Sequence, residues 1–179
     1  MKFVAKCFLL FLVIIFANVS FAQKAVENKS LPNFHQVNAN LYRGGQVNEE
    51  GIRQLKQMQI KTIINLRGAD KRARTEENWS QNAGLKFINL PLNNWLEPSD
   101  AQIEKILAEI NKVENQPVFV HCQRGADRTG TVIAVYRITH DGWTAKQANN
   151  EAKELGFGWW QFWMKDYIND YYRDFKKKS

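Results

Sequence analysis

The chain has 179 residues, enough for one domain or one domain with an extension. Hydrophobic residues at 44% and charged residues at 24% exclude wholesale disorder, and 10 Gly with 4 Pro exclude collagen-like or Pro-rich low-complexity architecture. The 25 Lys and Arg against 18 Asp and Glu give a net charge of +7, which suits phosphate-bearing partners, while 2 cysteines exclude a disulfide scaffold and no Cys/His spacing suggests zinc.

The chain opens with Lys2 and Lys6 and no acid, then an apolar run from Cys7 to Phe16, then Ser20-Phe21-Ala22 ahead of Gln23. A basic start, a short apolar run and small residues at the −3 and −1 positions predict a secretory signal peptide over residues 1–22, with export to the periplasm or the exterior. The run is too short for a spanning helix, which needs about 20 apolar residues. Cleavage after Ala22 leaves Cys122 as the remaining cysteine, in an oxidising compartment and with no internal partner.

Residues 23–30 are polar and expected to be frayed. One domain is expected over 31–175, with a solvated basic tail over 176–179. Phe34–Val37 and Leu41–Arg43 read as short strands around Asn38-Ala39-Asn40. Asn48 is placed to cap a helix carrying Ile52, Leu55 and Met58 at helical spacing, and a strand over Thr62–Leu66 follows. Arg67, Lys71, Arg72 and Arg74 form a basic loop. A helix over Thr75–Ala83 stops at Gly84, and a strand covers Leu85–Leu90. Ser99 and Gln102 make a capping box for a helix with Ile103, Ile106, Leu107 and Ile110 on one face. Pro117 opens strand Val118–Val120. A glycine-containing loop leads into a helix over Thr129–Thr139. Thr144 and Gln147 cap another helix that ends at Leu155-Gly156, and a last helix runs from about Trp159 to Phe175. Strands alternating with helices predict βαβ crossovers: an α/β, three-layer αβα sandwich on a mostly parallel central sheet, covered on both faces.

The chemistry is concentrated in His121-Cys122-Gln123-Arg124-Gly125-Ala126-Asp127-Arg128-Thr129-Gly130. An apolar strand ends at His121, Cys122 opens a tight loop, and a helix follows. Loop N–H groups beside a helix N-terminus form a cradle for an anion. The same groups stabilise a thiolate at Cys122, which makes it a nucleophile. Arg128 is permanently charged, and its planar fork matches two phosphate oxygens. Gly125 lets the backbone approach a phosphate closely. Thr129 brings a hydroxyl near the Cys122 sulfur, where it stabilises a departing thiolate. The competing reading is a buried structural cysteine beside a surface arginine.

This segment resembles the Cys-based protein tyrosine phosphatase superfamily, whose loop reads H-C-x5-R-[S/T], and is most similar to its dual-specificity branch in a bacterial secreted form. Leu41-Tyr42-Arg43-Gly44-Gly45-Gln46, Ile63-Ile64-Asn65-Leu66-Arg67, Pro91 to Pro98 and Gly142-Trp143-Thr144 also match, so the resemblance runs from about Leu31 to the last helix. It implies a two-step mechanism with no metal and no cofactor. Cys122 attacks phosphorus, a phosphocysteine forms, and water hydrolyses it. Arg128 and the amides of Gln123, Arg124, Gly125 and Ala126 hold the equatorial oxygens.

The family also places an Asp upstream, to protonate the leaving oxygen. In Pro91-Leu92-Asn93-Asn94-Trp95-Leu96-Glu97-Pro98 that position is Asn94, and an amide cannot cycle a proton as a carboxyl does. Asp127, inside the cradle, is the leading substitute for the acid, with Glu97 and Asp100 behind it. The alternative for Asp127 is a structural acid that orients Arg128 or binds loop amides.

Arg67 and Arg72, at the C-terminal end of a parallel strand, are candidates to hold a second phosphate, or else belong to a solvated loop. Phe157, Trp159, Trp160, Phe162, Trp163, Tyr167, Tyr171 and Tyr172 crowd the C-terminal region, chiefly as core, with room for an exposed aromatic surface facing lipid or a partner. The leading function is an exported phosphatase acting on phosphorylated protein or on inositol phosphates and phosphoinositides. The expected partners include no nucleic acid, a membrane-surface contact stays open, and the chain is expected to be a monomer. A catalytically impaired fold that captures phosphorylated ligands, fed by Asn94, and a sulfur-transfer enzyme are the rivals.

Overall fold

In the computed structural model the described residues are 28–178, so the expected signal peptide and the cleavage site before Gln23 lie outside them. The elements run β1 (His35–Asn38), β2 (Leu41–Gly44), α1 (Glu49–Gln57), β3 (Thr62–Asn65), α2 (Lys71–Asn82), β4 (Lys86–Asn89), α3 (Asp100–Asn111), β5 (Val118–His121), α4 (Asp127–His140), α5 (Ala145–Glu154) and α6 (Phe162–Lys178), with a short 3-10 turn at Val113–Asn115. The five strands are ordered β1-β2-β5-β3-β4; β1 runs antiparallel on the edge and the remaining pairs are parallel.

Alternation along the parallel strands divides the core between the two faces of the sheet. Ile63 of β3 and Phe119 of β5 pack with Ile52, Leu55 and Leu85 on the side of α1 and α2. Ile64, Val118 and Val120 pack with Ile103, Ile106, Ile110, Val132 and Val135 on the side of α3 and α4. Helices α4, α5 and α6 add a cluster of their own through Ala134, Ile138, Ala148, Ala152, Met164 and Ile168. This is the expected three-layer sandwich.

The capping residues set the helix starts. Asn48 Oδ1 accepts from Gly51 N at 2.9 Å, and both capping boxes form, Ser99 with Gln102 and Thr144 with Gln147. Several boundaries shift by one or two residues from the sequence reading, α4 among them at Asp127 rather than Thr129, and two shift further. Lys71, Arg72 and Arg74 lie in the first turn of α2 rather than in a loop, because Asp70 Oδ1 accepts from Ala73 N at 2.9 Å and caps the helix there. Helix α6 starts at Phe162 rather than Trp159 and extends through Lys176, Lys177 and Lys178, where three cations suit the negative end of the helix dipole.

Register places the site. Gly44 of β2 and Asn65 of β3 both pair with His121, so three central strands end at one level, with Cys122 the next residue out. That is the edge at which an open parallel sheet binds ligands.

Candidate active site

Cys122 is buried at the base of the loop between β5 and α4. Helix α4 begins at Asp127 with Ala126 as its cap residue and no side-chain cap, so its first-turn N–H groups have no intrahelical acceptor. Gly125 carries the loop through φ +72°, and a Cβ there would stand 2.4 Å from the carbonyl carbon of Gly44. Only glycine fits both constraints.

The floor of the loop is the end of β2. Arg43, itself buried, donates from Nη2 to the Gly125 carbonyl at 2.7 Å, and Gln46 N donates to the Gln123 carbonyl at 3.1 Å. Burial pulls the Arg43 guanidinium down to about 10, against the opposing pull of Glu151 and Cys122, so it remains a cation at neutral pH. The Leu41–Gln46 stretch therefore does physical service in the loop: it fixes two of its carbonyls and seats Gly125.

A cavity of about 450 Å³ opens above Cys122. Gln123, Arg124, Asp127 and Arg128 line it from the loop, Arg67, Gly68 and Asp70 from the segment after β3, Asn94 and Trp95 from the β4–α3 segment, and Trp160 from the α5–α6 segment. Arg128 donates from Nη1 to the Leu66 carbonyl at 3.3 Å, and its buried Nε has no partner among the described residues. The buried hydroxyl of Thr129 likewise has none. Ala126 and Arg124 also border a wider cavity on the other side of the loop.

The two substrate-binding arginines expected outside the loop separate. Arg67 lines the cleft, held by Gln46 Oε1 at 2.9 Å and Asp70 Oδ2 at 3.0 Å. Arg72 lies instead on a different cavity, with Val47, Asn48 and Trp79, because the cap at Asp70 turns the chain into α2 before Arg72 is reached.

The carboxylates separate too. Glu97 and Asp100 border a distinct cavity beside Glu104 and Asp170, and Asp100 Oδ1 accepts from Tyr167 Oη at 2.9 Å. Asp127 lies in the cleft with both oxygens engaged: Oδ1 accepts from Gly158 N at 2.8 Å and Oδ2 from Arg124 Nη2 at 2.6 Å. Its cationic partner is thus Arg124 rather than Arg128. Arg124 in turn sits 5.3 Å from the centre of the Trp160 ring. Asp70 is the second carboxylate of the cleft. The Ala73 amide, followed by Arg67, holds it below the usual carboxylate range.

Behind Cys122 runs a buried relay that sequence reading did not single out. His121 Nδ1 lies 3.2 Å from the Cys122 carbonyl oxygen and Nε2 lies 2.9 Å from Glu76 Oε1. Glu76 Oε2 accepts from Gln46 Nε2 at 2.7 Å, and Gln46 Oε1 accepts from Arg67. Glu76 shares the buried face of α2 with Ala73 and Ser80, so a glutamate at an apolar-periodic position was the available signal.

A family model described as a DSP-PTPase phosphatase fused to NAD+ kinase matches residues 13–161. The dual specificity protein phosphatase TpbA of Pseudomonas aeruginosa is 31% identical over 127 residues, which cover 70% of this chain and 56% of that protein. The chain therefore spans little more than half the length of that relative. A probable tyrosine-protein phosphatase of Dictyostelium discoideum, DG1060, is 31% identical over 109 residues, 59% of this chain and 65% of its own. Among solved structures, P. aeruginosa TpbA superposes with a TM-score of 0.66 at 26% identity, covering 82% of this chain and 86% of that one. The core catalytic domain of the PP-IP phosphatase SIW14 from S. cerevisiae shares the fold, with a TM-score of 0.72 at 23% identity over 83% and 91% of the two chains. With a Cys-to-Arg loop at the sheet edge and the family model matching most of its length, the chain belongs to the DSP-PTPase family within the Cys-based protein tyrosine phosphatase superfamily.

Proposed function

We propose that this chain is an exported phosphatase that hydrolyses phosphomonoesters through a phosphocysteine at Cys122. In the first step the Cys122 thiolate attacks phosphorus, the S–P bond forms, and the P–O bond to the leaving group breaks. In the second, water attacks the same phosphorus and Sγ departs, with the Thr129 hydroxyl donating to the thiolate. Arg128 and the loop amides hold the equatorial oxygens, where charge gathers in both transition states. The observation that supports this most directly is the unfilled hydrogen-bonding capacity around one buried thiol: the uncapped start of α4, the free Nε of Arg128 and the free hydroxyl of Thr129. A phosphoryl group takes up the helix N–H groups and the Arg128 fork and leaves the Thr129 hydroxyl for the thiolate, and a buried structural cysteine needs none of them.

Protonation of the leaving oxygen is the step for which the cleft offers least. Asn94 lines it where the family carries an acid. Asp127 acts as that acid only after giving up its bonds to Gly158 and Arg124, and Asp70 is held as an anion. This favours leaving groups that depart unaided, phosphotyrosine in proteins above all. Inositol phosphates and phosphoinositides are the second reading, supported by Arg67 and Arg124 on the cleft walls.

The test is turnover of an aryl phosphate by wild type and Cys122→Ser. Wild type is expected to be active in the presence of a chelator. Cys122→Ser is expected to lose turnover and still bind a phosphotyrosine peptide. A serine variant as active as wild type overturns the reading. Peptide binding without turnover by wild type points to the capture module instead.

A further inference from the structure

Seven large apolar side chains are exposed among the described residues, and five of them stand on the two segments that send Trp95 and Trp160 into the cleft. Trp95 (71% exposed) and Leu96 (61%) stand on the β4–α3 segment; Trp159 (73%), Trp160 (38%) and Phe162 (57%) stand on the α5–α6 segment and the start of α6. Trp95 and Trp160 both line the cleft, and the Trp159 ring meets the Trp160 ring edge-on at 5.9 Å. Two segments more than sixty residues apart in sequence thus build one apolar collar around one opening. Scattered exposed apolar residues need no explanation, but a gathered set marks a contact surface.

The charge around the collar has a sign. Lys71, Arg72 and Arg74 are exposed on the first turn of α2, which follows Asp70 of the cleft wall, with Lys71 and Arg72 bordering the second cavity beside Trp79 rather than the cleft itself. Arg124 lies over Trp160, and Lys165 donates to the Trp159 carbonyl at 3.3 Å. Asp70 is paired with Arg67 and Asp127 with Arg124 and Gly158, Glu97 borders the separate acidic cavity, and Asp166, exposed beside Lys165 on α6, is an acid set against these cations. Tryptophan-rich apolar groups flanked by Lys and Arg match the headgroup boundary of an anionic bilayer, where indole rings and cations both find partners. A bilayer also accepts side chains that protrude to unequal extents, whereas a protein partner would need a surface shaped to them.

We infer that the collar is a membrane-docking surface that seats the cleft mouth on an anionic lipid bilayer, with Trp95, Leu96, Trp159 and Phe162 entering the interface and Lys71, Arg72 and Lys165 meeting lipid phosphates. Docking of this kind does not depend on the phosphatase chemistry.

The experiment is quenching of tryptophan fluorescence by brominated phosphatidylcholine vesicles, with and without phosphatidylglycerol, using the full chain. No tryptophan precedes Trp79, so lipid binding by the N-terminal apolar run alone does not quench. Quenching is expected and should be stronger with phosphatidylglycerol. Trp159→Ser combined with Phe162→Ser should weaken the apparent vesicle affinity read by quenching by roughly tenfold or more, since burying one such side chain is worth about a tenfold factor. Lys71→Glu combined with Arg72→Glu should abolish the preference for phosphatidylglycerol. Hydrolysis of a soluble aryl phosphate by the Trp159/Phe162 variant should match wild type, which shows that it is folded and separates failure of docking from failure of the catalytic reading. No quenching by either vesicle, or quenching that the Trp159/Phe162 variant leaves unchanged, overturns the inference and assigns the collar to a protein partner.

Discussion

Cys122, Arg128 and Thr129 form a set in which each residue type is needed for a different physical reason: a sulfur nucleophile, a planar cationic fork and a small hydroxyl. Arg128→Lys keeps the charge and loses the two-pronged geometry. Its kcat for an aryl phosphate is expected to fall on the order of 10²–10³-fold, the loss seen when one preorganised transition-state donor is removed. A rate within a few-fold of wild type, by the same assay, would make the arginine a scaffold. Asp127 poses the opposite question, because its carboxylate already bonds Gly158 N and Arg124. As an anchor, its replacement by Asn should slow aryl and alkyl phosphates alike, since Arg124 and the Gly158 segment shift for both. As the general acid, the loss should be selective for alkyl phosphates by about 10²–10⁴-fold. Comparing kcat/KM for the two substrate types decides between them, and the engaged oxygens favour the common loss.

Helix α2 contributes more to the site than its sequence suggested. Its cap, Asp70, holds Arg67 in the cleft, and its buried Glu76 reaches both His121 and Gln46. Gln46 closes the circuit by gripping Arg67 and, through its backbone, Gln123. Glu76→Ala removes the acceptor of the half-buried Gln46 amide and the carboxyl that lies against buried His121, so a destabilisation of about 1–3 kcal/mol is expected in denaturant unfolding. Because the same contacts carry the Cys-loop, kcat should fall in the fraction that remains folded, while Glu76→Gln should recover part of both. The basic residues expected in a loop were drawn into this helix by one capping bond, which is why Arg67 lines the cleft and Arg72 does not.

At the scale of the whole molecule, the parallel sheet brings the ends of β2, β3 and β5 to one level and puts the cleft there. The rim around it combines exposed tryptophans with cations, and the acids cluster in another cavity beside α6. Export is part of the proposal: N-terminal sequencing of native protein should read Gln23 first, and a soluble cytoplasmic product that retains Met1 would refute it. If the chain is exported, the lone thiol faces an oxidising medium. Activity should then fall with peroxide and recover with added thiol, as long as oxidation stops at the sulfenic stage.

Local interactions decided what the sequence alone could settle. The caps at Asn48, Ser99 and Thr144 and the short apolar runs of β3 and β5 involve neighbours within four residues, so the starts of those three helices, the strand positions and the layer order follow from residue spacing. The Cys-loop is equally local, ten consecutive residues from the end of a buried strand to the first turn of a helix. Long-range approach decided the rest. Arg43 meets Gly125 across 82 residues and Asp127 meets Gly158 across 31. Glu76 and His121, and Trp95 and Trp160, come together only when the strands pair in the order β1-β2-β5-β3-β4. No spacing rule encodes those meetings, because each depends on where the fold returns the chain. The identity of the nucleophile was therefore legible in ten residues, whereas the floor beneath it, the partners of its acid and the collar around its mouth required the packed molecule.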